Sequence, residues 1–404
     1  MNLERRKFLG AVGGIAGASV FGEQVSAAAD DEDDSGYDPE FLENDDLLDN
    51  EELADLLKSI EEDGTEVSVS EIGESTQGRP IWAATIGSGS TDVMAIAQQH
   101  GDELLVPEGT IAALQYLAMT DSEEVRQVRN ELTLHLVPRM NPDGFVARQR
   151  YNVDTDAPAR AGADIFGADV GIFAADLPFI GWDVNRYHWA PDWTDSDLYQ
   201  SYPEKFPENP VKEVQVVYDA IVDEVDPDWI IDYHRQGEYV VDEDRKFDPE
   251  VYPEEELDEP EPYPPDSDDA GGGHVVTSSL FWPINEDVPE DAQDLSKQLV
   301  YTMYDELTTD SEANVTWYPG GTYAGIARNG HGLQGRGSVL FELSAGTLGD
   351  REYRVQHVAE SLLTATRATA DGSLSDVDPS NVREIPGRGD DFTVESAGGE
   401  SRPE

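Results

Sequence analysis

The chain has no cysteine among its 404 residues, so no disulfide and no cysteine-linked lipid holds it, and any metal site must be built from its seven histidines and its carboxylates. Basic residues are scarce: 26 Lys and Arg stand against 86 Asp and Glu, a formal net charge of −60, and only six of the basic residues are Lys. A surface this negative repels nucleic acid and anionic membranes, so neither is an expected partner. The apolar run from Gly10 to Phe21 is too short and glycine-rich for a comfortable membrane span, and no stable membrane association is expected. Internal repeats and a phosphate-cradling glycine loop are also missing. Charge of this size usually means disorder, but 7 Trp, 16 Tyr and clear strand periodicity argue for a packed core over most of the length. High acidity with little Lys is the composition of proteins adapted to extreme salt, where self-repulsion is screened within about 3 Å or less. Stability is therefore expected to need molar salt.

Against that background a few residues carry chemistry. His100-Gly101-Asp102-Glu103 follows the apolar run Val93 to Ala97, which reads as a buried strand, and places an imidazole and a carboxylate at a strand end. Open α/β sheets place their sites in the crevice beyond such ends. Catalytic zinc takes three protein ligands, and two His with one Glu is a familiar set. A second His is needed, and His234 follows another short apolar strand, Trp229 to Tyr233. Further polar groups follow apolar stretches: Asn141-Pro142-Asp143-Gly144 after Leu132 to Val137, and Asp183-Val184-Asn185-Arg186. Ser338 to Leu343 is an apolar strand holding one carboxylate, Glu342, and a buried Glu without a partner is costly.

With these five motifs in this order, the chain resembles the zinc metallocarboxypeptidases of the carboxypeptidase A and B type. Ile72 to Ile81, with its Gly78-Arg79-Pro80 turn, Pro107 and the apolar helix Ile111 to Leu117 extend the resemblance over roughly residues 50 to 370. It implies one α/β domain with a mixed, twisted eight-stranded sheet flanked by helices. It also implies that His100, Glu103 and His234 bind one Zn2+, and that Glu342 is the general base toward a water at the metal. Cobalt or nickel fits the same ligands. Asn185 and Arg186 match the clamp for the substrate's terminal carboxylate, where a planar guanidinium offers two parallel hydrogen bonds. Asp183 would accept from His100 and fix its tautomer.

Two assignments stay open between neighbours. Arg150, nine residues after Asn141, or the nearby Arg148 would stabilise the oxyanion of the scissile carbonyl. Tyr323, among glycines and 19 residues before Glu342, or Tyr318 would be the mobile tyrosine that closes over substrate. Ala327 to Leu333, which lines the specificity pocket in the family, departs from the digestive members and leaves the preferred side chain undetermined. His135 reads as a core residue, His188 as a possible cleft residue beside Arg186, His274 and His331 sit among glycines, and His357 falls on a helix; none is assigned to the metal.

Arg5-Arg6-Lys7-Phe8-Leu9, the small and apolar run after it, and Ala27-Ala28-Ala29 form an export signal over residues 1–29. The paired arginines point to the twin-arginine machinery and a secreted protein. Residues 30–49 read as an acidic linker too short for an inhibitory pro-domain, so no zymogen step is expected. The catalytic domain spans 50–370 with a surface insertion at 241–273 rich in Pro, Asp and Glu, and 371–404 reads as a disordered acidic tail. The expected activity is hydrolysis of the C-terminal peptide bond of peptides. The alternatives are a zinc-dependent amidohydrolase or deacylase on acyl amino acids or a cell-surface polymer, and an inactive binding module that keeps the fold.

Overall fold

The computed structural model describes residues 47–154, 181–188, 211–246, 275–309, 313–345 and 351–391. The export signal, most of the acidic linker, His274 and the bulk of the 241–273 insertion lie outside the described residues. One mixed sheet of ten strands runs through the molecule. Its strands are β1 (Val67–Glu74), β2 (Pro80–Gly87), β3 (Thr91–Ala97), β4 (Leu132–Val137), β5 (Trp229–Gln236), β6 (Tyr239–Lys246), β7 (Ser278–Phe281), β8 (Val315–Trp317), β9 (Gly337–Ser344) and β10 (Pro386–Asp391), in the order β1-β2-β4-β3-β5-β9-β7-β8-β10-β6.

The middle of the sheet, β4-β3-β5-β9, is parallel, and its strands are apolar runs because helices cover both faces. Val93, Ala95, Ala97, Ile231, Tyr233 and Phe341 face one core, shared with α1 (Asn50–Asp63), α2 (Val106–Met119) and α8 (Arg351–Asp371). Met94, Ile96 and Ile230 face a second core with Val184, Tyr187 and Val214, the last on α5 (Lys212–Val217). Along β5 that second face turns polar after Ile230, to Asp232, His234 and Gln236, so the strand leaves the core and enters a cleft.

Local chemistry sets the helices of the first core. Asp49 caps α1 through the amides of Glu51 and Glu52, and Glu52 returns a bond to the Asp49 amide. Pro107 stands in the first turn of α2, where its missing amide proton is not needed. At Gly109, where α2 meets α8, a Cβ would press into Val358. Between α2 and β4 runs α3 (Glu123–Glu131), capped by Ser122. Further helices among the described residues include α4 (Pro142–Ala147), α6 (Glu290–Leu307) and α7 (Ala327–Leu333). No helix among the described residues is long and apolar enough to cross a membrane.

Three expectations need correction. The sheet has ten strands where eight were expected: β10 and β6 extend it beyond β8. Residues 241–246 belong to β6 and are not part of a surface insertion, because Tyr239-Val240-Val241 supplies aromatic and β-branched residues and β10 supplies a backbone partner. The segment after Asp371 is ordered as far as Asp391, through short turns at Ser373–Asp376 and Pro379–Glu384 and then β10. Buried Leu374, Val382 and Ile385 anchor it to the main core at intervals too irregular to show a period.

Candidate metal centre and cleft

The centre lies at the carboxyl ends of β3, β5 and β9. The loop from β3 to α2 begins and ends on residues with left-handed backbone, Gln98 (φ 53°) and Leu105 (φ 77°), which side chains other than glycine adopt at a cost. Gln98 is held there: its side chain accepts from Arg139 Nε at 2.6 Å and donates to the Gly101 carbonyl at 3.2 Å. Gly101 packs so closely on Gly144 that a Cβ would run into the Gly144 and Phe145 backbone. Asn141 caps α4 through the Gly144 amide (2.8 Å) and donates to the Gln99 carbonyl (2.9 Å). Asp143 accepts from Ser75 Oγ, the Gln77 amide and Arg79 Nη1 at 2.7 to 2.8 Å. The Asn-Pro-Asp-Gly motif and the Gly-Arg-Pro segment are thus two halves of one brace behind the loop.

At that loop the three expected ligands converge. Glu103 lies 2.7 Å from His100 Nδ1 through Oε1 and 2.7 Å from His234 Nδ1 through Oε2. The two Nδ1 atoms are 3.1 Å apart, and all three residues are buried. His234 sits inside β5, which continues to Gln236, and not at the strand's end as its sequence suggested. Both rear nitrogens meet carboxylates: His100 Nε2 faces Asp183 Oδ1 at 3.1 Å, as expected, and His234 Nε2 faces Asp232 Oδ2 at 2.7 Å. Asp232 had no assigned role, although its place two residues before His234 on one strand puts both side chains on the same face.

The electrostatics fit a cation. Burial alone would raise Glu103, but His100 and His234 outweigh it and hold the carboxyl well below its ordinary range. Burial would lower His234, but Asp232 and Glu103 outweigh it and hold the imidazole well above its ordinary value. Two carboxylates that outweigh burial at a fully buried imidazole favour positive charge in the cluster. Two imidazole nitrogens and a carboxylate aimed at one point, with rear carboxylates fixing both rings, suit zinc.

Glu342 is directly opposite His234 in the β5–β9 register. Its Oε2 is shielded from solvent and has no hydrogen-bond partner among the described residues. Without a cation in the cluster, burial pushes its pKa up to about 7, helped by the charge of Glu103 and opposed by His234, Arg388 and His100. A divalent ion nearby adds to that opposition.

The cleft's arginines separate by position. Arg150 Nε bonds Asp183 Oδ2 at 3.1 Å and Nη1 lies 3.5 Å from Glu103 Oε1, so this guanidinium borders the centre. Arg148 is exposed at the left-handed C-cap of α4. Arg186 leaves the short turn Val184–Arg186; Nη1 donates to the Asn185 carbonyl at 2.8 Å, and Nε is shielded with no partner among the described residues. Asn185 accepts from the Ala327 amide at 2.8 Å and brings Nδ2 within 3.0 Å of His234 Nε2. Burial would raise Asp183, but Arg150, Arg186 and His100 hold it well below its ordinary range.

Tyr323 packs against the second core. Tyr318 has its ring 3.7 Å from the Arg388 guanidinium. His188 is buried behind the centre with Nε2 2.6 Å from Gln99 Oε1, and burial pushes its pKa down to about 4. The other described histidines stay off the metal cluster: His135 pairs with Asp92, His331 lies on α7 and His357 on α8 bonds Ser278.

The family described as zinc carboxypeptidase matches residues 53–347. Mouse (Mus musculus) carboxypeptidase M is 29% identical over 105 residues, and the match spans only 24% of this chain and 24% of that protein. Carboxypeptidase D of Drosophila melanogaster is 29% identical over 128 residues, 29% of this chain and 9% of that protein. Among solved structures, a metallo-carboxypeptidase from Burkholderia cenocepacia superposes with a TM-score of 0.52 at 18% identity, covering 80% of this chain and 69% of that one. Carboxypeptidase A from Helicoverpa armigera gives 0.52 at 19% identity, covering 82% and 75%. At these identities the likeness is one of fold.

Proposed function

Because the chain belongs to the zinc carboxypeptidase family, with His100, Glu103, His234 and Glu342 all inside the matched region, we propose that it is an exported zinc carboxypeptidase that removes the C-terminal residue of peptides in concentrated salt. The observation that carries the reading is Glu342, a carboxylate with a shielded, unpartnered oxygen placed across from a candidate ligand. Zinc held by His100, Glu103 and His234 would supply Lewis acidity toward the scissile carbonyl and the attacking water.

The chain's own groups do the rest. Glu342 takes the proton from the attacking water as the oxygen adds to the carbonyl carbon, and delivers it to the amine as the carbon–nitrogen bond breaks. Its raised proton affinity, lowered again by a bound cation, suits a group that must both accept and release a proton. Arg150 donates to the oxygen that gains negative charge, while its bond to Asp183 keeps the guanidinium in place. Arg186 offers its guanidinium to the substrate's terminal carboxylate, and Tyr323 covers the bound residue. Asn185, tied to the Ala327 amide, links that anchor to α7.

A terminal-carboxylate anchor discriminates this reading from an amidohydrolase or deacylase. The test is an N-blocked dipeptide offered with its carboxylate free or as its methylamide, with zinc content measured in parallel. Release of the terminal amino acid from the free acid alone supports the proposal. Equal hydrolysis of both contradicts it, and neither reacting with zinc bound points to the silent binding module.

A further inference from the structure

The C-terminal strand β10 lies beyond residue 347, where the family match ends, yet it delivers a cation to the cleft face of the sheet. The Arg388 guanidinium is stacked between Tyr318 (3.7 Å) and Tyr239 (4.0 Å), with Phe281 at 5.7 Å, and is 9% exposed. Its Nη1 donates to Gln236 Oε1 at 2.7 Å. Gln236 Nε2 donates to Ser279 Oγ at 2.9 Å, and Ser279 Oγ meets Thr316 Oγ1 at 2.8 Å. Thr316 turns its own proton to the Ser278 carbonyl, at a long 3.5 Å. Ser279 is the residue directly opposite Glu342 in the β7–β9 register.

This chain of bonds has a direction. Arginine can only donate, so Gln236 must present its oxygen to Arg388 and its NH2 to Ser279. Ser279 then accepts from Gln236 and sends its single proton to Thr316. The hydroxyl opposite Glu342 in the register thereby has its proton engaged, and Glu342 Oε2 has no partner among the described residues. The positive charge of Arg388 also reaches the Glu342 carboxylate. A base captured by a neighbouring hydroxyl is displaced and less able to take a proton from water.

We propose that Arg388 is a positioning residue for Glu342: by fixing the Gln236 amide on Ser279, it keeps the hydroxyl opposite the carboxylate occupied and leaves the carboxylate free to act as base. The proposal rests on Glu342 being the base, as in the reading above. Removing Arg388 lets the Gln236 side chain leave Ser279, and the hydroxyl, no longer held by that donor, can swing onto Glu342.

The test compares wild type, Arg388→Met, Arg388→Lys and the double variant Arg388→Met with Ser279→Ala, all full-length, zinc-loaded and in concentrated salt. Arg388→Met is expected to lower kcat about tenfold, the worth of one hydrogen bond, with KM within about twofold of wild type. Lys, which keeps a caged donor, restores part of the loss. The double variant recovers most of it, because the capturing hydroxyl is gone. Should Arg388→Met not fold, Gln236→Met cuts the same chain one bond further in and must show the same loss and the same relief by Ser279→Ala. Unchanged kcat, a rise in KM alone, or no relief in the double variant overturns the proposal. A crystal structure of Arg388→Met reads it without turnover: Ser279 Oγ bonded to Glu342 supports it, and Ser279 still held by Gln236 and Thr316 overturns it. If wild type removes no terminal residue, the functional reading fails while that crystallographic comparison still decides the role of Arg388.

Discussion

Replacing Asp232 by Asn is expected to weaken zinc binding by about ten- to thirtyfold. Asp232 Oδ2 is 2.7 Å from His234 Nε2, and the carboxylate is 1% exposed, so water does not screen the contact. Asn keeps an oxygen that can accept from Nε2–H but loses the charge, and a charge-assisted hydrogen bond is roughly twice as strong as a neutral one. The difference, about 1.4 to 2 kcal/mol, falls within the ten- to hundredfold range for removing a group that orients a metal-ligating histidine. Asn also puts an NH2 where Asp232 Oδ1 has no partner among the described residues, so the metal-free protein should unfold more easily as well. Zinc must displace the proton that Asp232 and Glu103 hold on His234, so wild-type affinity rises with pH, and the variant's should rise less steeply. The assay is competition with a chromophoric chelator in concentrated salt at two pH values. Asp92→Asn is the control, since Asp92 makes the same kind of contact to His135 Nε2, at 2.8 Å and away from the cluster. Zinc affinity of Asp232→Asn within a factor of two of wild type would refute the reasoning.

Three further outcomes follow from the same geometry. Arg186→Met should lower kcat/KM on peptides with a free terminal carboxylate by about a hundredfold, the worth of a charged hydrogen-bond pair, in steady-state assays. His188 is neutral when folded down to about pH 4, whereas the unfolded chain takes up a proton on it below about pH 6.5. The unfolded state thus binds more protons in that window, and acidification through it should cost about 3 kcal/mol that His188→Gln does not lose, as measured by denaturant unfolding at several pH values. With a formal charge of −60, the fold should melt at much lower temperature in about 0.1 M than in about 3 M salt; equal melting points would contradict the salt adaptation.

The parts legible in the sequence were those in which chemistry and periodicity agree. β3, β4, β5 and β9 are apolar because both faces are covered, and His100, Glu103, His234 and Glu342 interrupt or end those runs where the cleft begins. Asp232 went unassigned because one carboxylate inside Ile230 to Tyr233 reads as part of the strand, although its shared face with His234 was available from spacing alone. Arg148 and Arg150 could not be separated on spacing, since the choice rests on the left-handed turn at Arg148 that sends one side chain outward and the other toward Asp183. β10 gave no signal: Pro386-Gly387-Arg388-Gly389-Asp390-Asp391 has little strand propensity and is extended because β6 and β8 offer it backbone partners. Gly389 fits there against Val240, which a Cβ would approach to 3.2 Å. Tertiary context, absent from any local window, decides such a strand.

The most direct test of the central claim is mass spectrometry of short peptides, with free and with amidated C-termini, incubated in concentrated salt with zinc-loaded wild type and with Glu342→Gln. The account predicts loss of single C-terminal residues from the free peptides alone, stopped by a chelator and absent in Glu342→Gln, which still binds zinc. Cleavage of both peptide sets, or undiminished activity in Glu342→Gln, would contradict it.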